Sequence, residues 1–227
     1  MIELRDVRKV FNQGRHNELW AVRGVTLDLE PNRVTVLKGP SGSGKTTLLS
    51  MIGALARPTA GRISLDGRLI SNLPERFMTE VRRSTFGFVF QRFNLIRGLT
   101  VLENVMLPAY PMAPDYGKLR SRALGLLAQF AMESKSADRV EWLSGGEAQR
   151  TAICRALINE PRILIADEPT ANLDSKLSRE LVGLLGDLLD LGKTVLVSSH
   201  DPLVFESARV SRVVEMRDGQ LAGESPC

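Results

Sequence analysis

The sequence predicts an α/β fold, a mostly parallel sheet flanked by helices, and three observations carry that prediction. First, Gly39-Pro40-Ser41-Gly42-Ser43-Gly44-Lys45-Thr46-Thr47 fits G-x-x-x-x-G-K-[ST], the phosphate-cradling P-loop. It stands between a short strand-like run, 33–38, and the first turns of a helix, 47–52. Second, the apolar runs 86–90, 163–166 and 193–198 stop at Gln91, at Asp167-Glu168 and at Ser199-His200. Polar side chains at the C-terminal tips of strands are where open α/β sheets place ligand contacts. Third, residues 92–139 lose the strand character and read as helical, which predicts an inserted α-helical subdomain.

At 227 residues, 43% hydrophobic and 25% charged, the composition suits one buried core. No apolar run approaches the ~18 residues of a membrane span. Residues 1–6 alternate like a strand and lack the apolar centre of a signal peptide. Cys154 and Cys227 make no disulfide framework. A cytoplasmic protein is therefore expected. The net charge of +4 permits weak attraction to nucleotides or anionic surfaces. No basic run dominates, so charge alone selects no partner.

In order, 2–11 and 19–29 are strand-like runs around a polar loop at 12–18. Phe11 closes the first run, where an aromatic can stack on a purine; Trp20 and His16 are competing candidates. In the P-loop, glycines let successive backbone N–H groups point at a phosphate, and the helix N-terminus adds its partial positive charge. Lys45 is placed to reach the outer phosphates and the Thr46 hydroxyl to ligate Mg²⁺. A breaker cluster at 57–61 precedes a hairpin over 62–70, turning at Asp66-Gly67. A helix over 73–83 follows.

Thr100 with Glu103 makes a capping box, and Leu119, Ala123, Leu126, Leu127 and Phe130 fall at helical spacing. Ser144-Gly145-Gly146-Glu147 is a second glycine turn feeding a helix that continues over 148–158, so it too can hold an anion. At 163–169 a buried parallel strand ends in two carboxylates whose side chains alternate and so serve different parts. Asp167 is placed to hold Mg²⁺, and Glu168 to act as the base on an attacking water. A helix beginning within 171–175 runs to about 191, with His200 at the tip of the next strand. A terminal hairpin turns at Asp218-Gly219, and 224–227 reads as frayed.

The P-loop, Gln91, Leu143-Ser144-Gly145-Gly146-Glu147, Asp167-Glu168, Asp174 and His200 stand in one order that resembles the ATP-binding cassette (ABC) transporter ATPases. The resemblance covers essentially the whole chain. It implies one ABC ATPase domain over 1–227. A P-loop NTPase core with an antiparallel β subdomain would take 1–91 and 151–227, and a helical subdomain 92–150. It implies that Gln91 is the Q-loop residue, touching Mg²⁺ or the attacking water. It implies that Ser144, Gly145, Gly146 and Glu147 form the signature motif, and that Asp174 is the D-loop aspartate. His200 would be the switch histidine contacting the γ-phosphate, and Phe11 the adenine-stacking aromatic. Two chains would then sandwich two ATP molecules head-to-tail, with Mg²⁺, and drive a separately encoded membrane permease from the cytoplasmic face of the inner membrane. Residues 88–91, 93–95, 99–105 and 166–174 are similar to the ATPases of MacB-type macrolide exporters and LolD-type lipoprotein-releasing systems. Phe11, Ala148, Ala171 and Glu141-Trp142 depart from the usual pattern without removing a catalytic group. The rival reading, a soluble ABC ATPase acting on nucleic acid or ribosomes, is disfavoured. Only about a hundred residues separate Lys45 from Ser144, without sustained heptads.

Overall fold

Alternating strand side chains build two sheets that share one helix between them. The computed structural model describes every residue except Ala113, Asn172 and Cys227, and leaves the side chains of 224–226 undescribed. In chain order the strands are β1 (Ile2–Phe11), β2 (Leu19–Leu29), β3 (Val34–Lys38), β4 (Ala60–Leu65), β5 (Arg68–Leu69), β6 (Phe86–Val89), β7 (Ile163–Asp167), β8 (Thr194–Ser199), β9 (Arg212–Arg217) and β10 (Gln220–Pro226). The helices are α1 (Lys45–Ile52), α2 (Glu75–Thr85), α3 (Val101–Met106), α4 (Tyr116–Gln129), α5 (Gly145–Leu157), α6 (Ser175–Asp190) and α7 (Pro202–Phe205). Short 3₁₀ turns fill Leu107–Met112, Glu133–Lys135 and Val140–Trp142.

One sheet is antiparallel, in the order β2-β1-β4-β5; the other runs β10-β9-β3-β8-β7-β6. In the second, β9 to β6 are parallel neighbours and only the edge strand β10 is antiparallel. Its side chains alternate between two cores, as strand periodicity demands. Val34, Val36, Leu164, Ala166, Val195 and Val197 pack with the helices α3 to α6. Leu37, Ile163, Ile165, Leu196, Val214 and Met216 pack with α1 and the antiparallel sheet. Both faces are thus covered, which is why these strands read as continuous apolar runs.

The parallel register puts Lys38 beside Ser199, Ser198 beside Asp167, and Ala166 beside Val89. The segments carrying the P-loop, His200, Glu168 and Gln91 therefore leave the sheet along one edge. Between β6 and β7, α3 starts at a full Thr100–Glu103 capping box, and an isolated bridge joins Thr100 to Arg139.

Several boundaries differ from the sequence expectation. Strand β6 stops at Val89, because the chain turns at once: Phe93 N–H donates to the Phe90 carbonyl. Helix α1 starts at Lys45 and α5 at Gly145, each earlier than hydrophobic spacing alone indicated. Helix α6 starts at Ser175, where the Asp174 carboxylate caps it. Asn172, within the stretch expected to open that helix, lies outside the described residues. The chain is not frayed from 224: the β10 backbone pairs through Pro226 opposite Arg212. Cys227 lies outside the described residues. The four-residue α7 was not anticipated; Asp201 caps it and Pro202 opens it. Among the described residues no helix is long and apolar enough to cross a membrane.

Candidate functional site

Two glycines of the P-loop are required by close approach of other backbone. A Cβ on Gly39 would lie 2.2 Å from the Met216 carbonyl oxygen, and one on Gly44 would lie 2.3 Å from that of Ala21. Gly44 also takes φ of +100°, which turns the chain into α1. With the loop pressed this tightly onto β2 and β9, the first turn of α1 presents its backbone N–H groups without any side-chain cap. Ser43 Oγ is buried nearby with no hydrogen-bond partner among the described residues. The Lys45 ammonium is buried and returns to its own loop, donating to the carbonyls of Gly39 (2.7 Å) and Pro40 (3.0 Å). It also lies 3.3 Å from Glu168 Oε1.

The two carboxylates at the end of β7 diverge as strand alternation requires. Asp167 Oδ1 accepts from Thr46 Oγ1 at 3.0 Å and from Ser198 Oγ at 2.5 Å. Glu168 adopts φ of +45°, and its N–H donates to Ser198 Oγ and to the Ser198 carbonyl. That turn sends its buried carboxylate between Lys45 and His200, whose Nδ1 is 2.8 Å from Glu168 Oε2. Facing an ionised carboxylate, which only accepts, Nδ1 would be the protonated nitrogen, leaving Nε2 for another group. Removing one partner of a buried pair such as Lys45–Glu168 costs about 3–5 kcal/mol.

Thr46 Oγ1 and Asp167 Oδ1 are adjacent hard oxygen donors. Among the described residues, no cluster of three or more His, Cys, Asp or Glu could cage a metal. That donor set fits Mg²⁺, which is commonly held by one or two protein oxygens together with substrate phosphates and water. Gln91 lies in the exposed turn just past β6, two residues beyond Val89, which registers with Ala166. A narrow cleft lined by Thr46, Phe88, Phe90 and Asp167 runs between that turn and α1.

A second constellation lies at the start of α5. The Ser144 N–H donates to Glu147 Oε2 (2.8 Å), and the Glu147 N–H donates to Ser144 Oγ (3.4 Å). The Ser144 backbone N–H, then its hydroxyl, holds the Glu147 carboxyl below the usual carboxylate range. Ser144 and Gly145 are exposed, whereas Gly146 is buried, with the methyls of Leu177 2.9 Å from where a Cβ would stand. Leu177 belongs to α6, whose cap, Asp174, accepts from the N–H groups of Lys176 and Leu177. The Asp174 and Ser144 turns thus meet at one seam. Among the described residues no hydrogen bond or ion pair joins 144–147 to 39–47. The structure brings Lys45, Thr46, Asp167, Glu168 and His200 together and leaves Ser144, Gly145, Gly146, Glu147 and Asp174 as a separate group.

Phe11 and Trp20 are both exposed at one end of the antiparallel sheet, as is His16 in the loop between them. Lys9 Nζ lies 5.3 Å from the Phe11 ring centre, and the Trp20 indole N–H donates to Glu18. The next residue, Ala21, supplies the carbonyl that abuts Gly44, so this aromatic end adjoins the P-loop.

Ser198 was not anticipated. It is fully buried and joins Asp167 to the Glu168 backbone. The signal was a buried hydroxyl at the tip of an otherwise apolar strand.

The family model described as "ABC transporter" matches residues 22–171. The chain is 40% identical over 225 residues, 99% of its length, to the macrolide export ATP-binding/permease protein MacB of Hyphomonas neptunium, and spans 34% of that relative. It is 39% identical over 223 residues to an ABC transporter ATP-binding protein of Thermotoga maritima, covering 98% of this chain and 94% of that one. The dimeric structure of the bacterial ABC transporter cassette MJ0796 superposes with a TM-score of 0.92 at 39% identity, covering 100% of this chain and 98% of the other. A post-hydrolysis state of MJ0796 bound to ADP and Pi superposes with the same TM-score at 38% identity, over 100% of this chain and 98% of that one. The chain belongs to the ABC transporter family, as one of its ATP-hydrolysing cassettes.

Proposed function

We propose that this cassette closes on a second copy of itself around two ATP molecules and uses their hydrolysis to drive a separate membrane permease. The observation that carries this reading is the buried Glu168 carboxylate, held between Lys45 and His200 and beside the P-loop. In this reading Gly39, Pro40, Ser41, Gly42, Ser43, Gly44 and Thr47 wrap the triphosphate with backbone groups, and Lys45 binds its outer oxygens. Thr46 and Asp167, with Gln91, would hold Mg²⁺, which when bound neutralises charge on the phosphates. Glu168 takes a proton from the attacking water. His200 fixes Glu168 through Nδ1 and offers Nε2 to the γ-phosphate. Phe11 stacks on the adenine.

Ser144, Gly145 and Gly146, built by Glu147 and seated against α6 beside Asp174, would bind the γ-phosphate held by the other copy. The dimeric form of the similar cassette MJ0796 supports that assembly. The combined export and ATP-binding/permease names of the MacB relatives support a permease partner and an export role. The alternatives of lipoprotein extraction or force transmission rest on the MacB/LolD-like stretches 88–91, 93–95, 99–105 and 166–174. Such a partner would hold the cassette at the cytoplasmic face of the inner membrane. Nucleic acid is not expected as a partner. We divide the chain into a core of 1–91 and 151–227 and a helical part of 92–150, with α5 continuous across that boundary.

The test is Glu168→Gln. It should retain ATP binding by direct titration and lose hydrolysis by about 10²-fold or more, the usual worth of a catalytic base. With ATP it should become a dimer by light scattering. Near-normal turnover would remove Glu168 from its role, and a persistent monomer at saturating ATP would remove the sandwich.

A further inference from the structure

The eight residues from Phe93 to Thr100 link the Gln91 turn to α3, and they are strapped at successive points, first to the C-terminal half of α5 and then to the helical part. The Arg155 guanidinium donates through Nη2 to the Phe93 carbonyl and through Nη1 to the Asn94 carbonyl at 2.5 Å. Asn104, fully buried, accepts from the Ile96 N–H (2.7 Å) and donates to the carbonyls of Ile96 (3.1 Å) and Thr100 (3.0 Å). Glu141 accepts from the Gly98 N–H at 2.5 Å, and the Val140 N–H donates to the Leu99 carbonyl.

The Arg155 contact is the unusual one. This guanidinium is buried, and among the described residues no carboxylate lies within ion-pair distance of it. A buried cation is costly unless its hydrogen bonds are made, and these are made to two carbonyls of one loop. Those carbonyls belong to residues in left-handed conformation, Phe93 at φ +58° and Asn94 at +50°. Such backbone persists only where its surroundings over-determine it, for Phe above all. The Phe93 N–H in turn closes the turn onto the Phe90 carbonyl, with Gln91 and Arg92 between them. Arg155 thus holds one end of the turn that carries Gln91, and it does so from α5, the helix that begins at Gly145.

We propose that Arg155 is a positioning residue for Gln91: its two-carbonyl grip makes the Gln91 turn move with α5, so that engagement of Ser144–Gly146 by a second copy's nucleotide sets Gln91 at this copy's own site. The inference rests on the part given to Gln91 under Proposed function. Asn104 secures the same segment from its other end.

The test is a double-mutant cycle on the full chain, reading kcat and KM for ATP hydrolysis alongside ATP affinity by direct titration. Gln91→Ala should lower kcat by about 10-fold or more, as expected for a group acting in the transition state. Arg155→Lys keeps the charge but not the fork, and should lower kcat by about 10-fold with ATP affinity held within about 2-fold. The double variant should be no slower than Gln91→Ala alone, since a residue acting through Gln91 has nothing left to position. Asn104→Asp, which keeps the acceptor for Ile96 N–H and loses both donations, should show a smaller kcat loss with the same non-additivity. It serves as the second variant if Arg155→Lys fails to fold. Fully additive losses, or an Arg155→Lys chain at wild-type kcat, would overturn the role of Arg155 while leaving Gln91 in place. A Gln91→Ala chain at full rate would overturn the role of Gln91 itself.

Discussion

Two helix N-termini in this molecule offer backbone N–H groups to an anion, and they are built in opposite ways. Helix α1 has no side-chain cap and no acid in its first turn, and Lys45 stands there instead. Helix α5 has a complete capping box, with Ser144 and Glu147 each satisfying the other's backbone N–H. At α1 the orphan donors and the positive end of the dipole are left for a ligand, and the loop is pinned so that they stay aimed. At α5 the protein has already spent two donors and placed a carboxylate beside the rest. The first is a site that can hold phosphate within one chain. The second is a stable, exposed turn suited to completing a site that something else has assembled.

The sharpest way to break this contrast is at Gly39. In Gly39→Ala the new Cβ meets a backbone carbonyl, which has no rotamer to escape into. The expected loss is about 3 kcal/mol or more by denaturant unfolding, with ATP affinity falling alongside. Ser144→Ala probes the other end. It should cost about 1 kcal/mol of stability, the usual worth of an N-cap, and weaken ATP-driven dimerisation of the Glu168→Gln background. ATP affinity of the separated chain should stay unchanged, because among the described residues no hydrogen bond or ion pair joins Ser144 to the P-loop. A drop in that affinity would mean that the two termini are not independent.

The smallest effect is in acid. Glu103 and Glu147 are both held below their ordinary value of 4.5, chiefly by the backbone N–H of their own N-cap residues. A carboxyl whose folded pKa is depressed stabilises fully above its unfolded value and loses that contribution as pH falls through the folded one. Replacing both by Gln keeps the capping-box hydrogen bond and removes the titration. The double variant should therefore lose less thermal stability than the parent as pH drops below about 4.5, read by circular dichroism melts.

The features legible in the sequence were those whose signal is local. A glycine loop between an apolar run and a helix, or two carboxylates at the end of ILIA, states its chemistry within ten residues. The capping box at Thr100 was readable for the same reason, and the structure contains it; the structure adds a second box at Ser144, which in sequence reads as a glycine turn feeding a helix. What could not be read depends on partners far apart in the chain. Nothing near Ser198 announces that it will join Asp167 to the Glu168 backbone, and nothing near Arg155 announces Phe93. Arg155 is one of two arginines in a helix whose Ala152, Ile153, Ala156 and Leu157 are apolar, a pattern that more often marks a solvated edge. The C-terminal extension of β10 past 224 was missed because pairing with β9, rather than composition, orders it.

The wall behind the P-loop adds a temporal consequence. Gly39 rests on the Met216 carbonyl, the Gly219 N–H donates to the Ser43 carbonyl, and the Arg23 N–H donates to the Gly219 carbonyl. The loop at 39–47 is therefore braced by a hairpin, β9 and β10, that lies far along the chain from it. During synthesis the phosphate loop leaves the ribosome long before its brace exists. The braced form of the loop must wait for that hairpin, because contacts of such large sequence separation form late. The phosphate loop is thus complete only once the chain has reached β9 and β10.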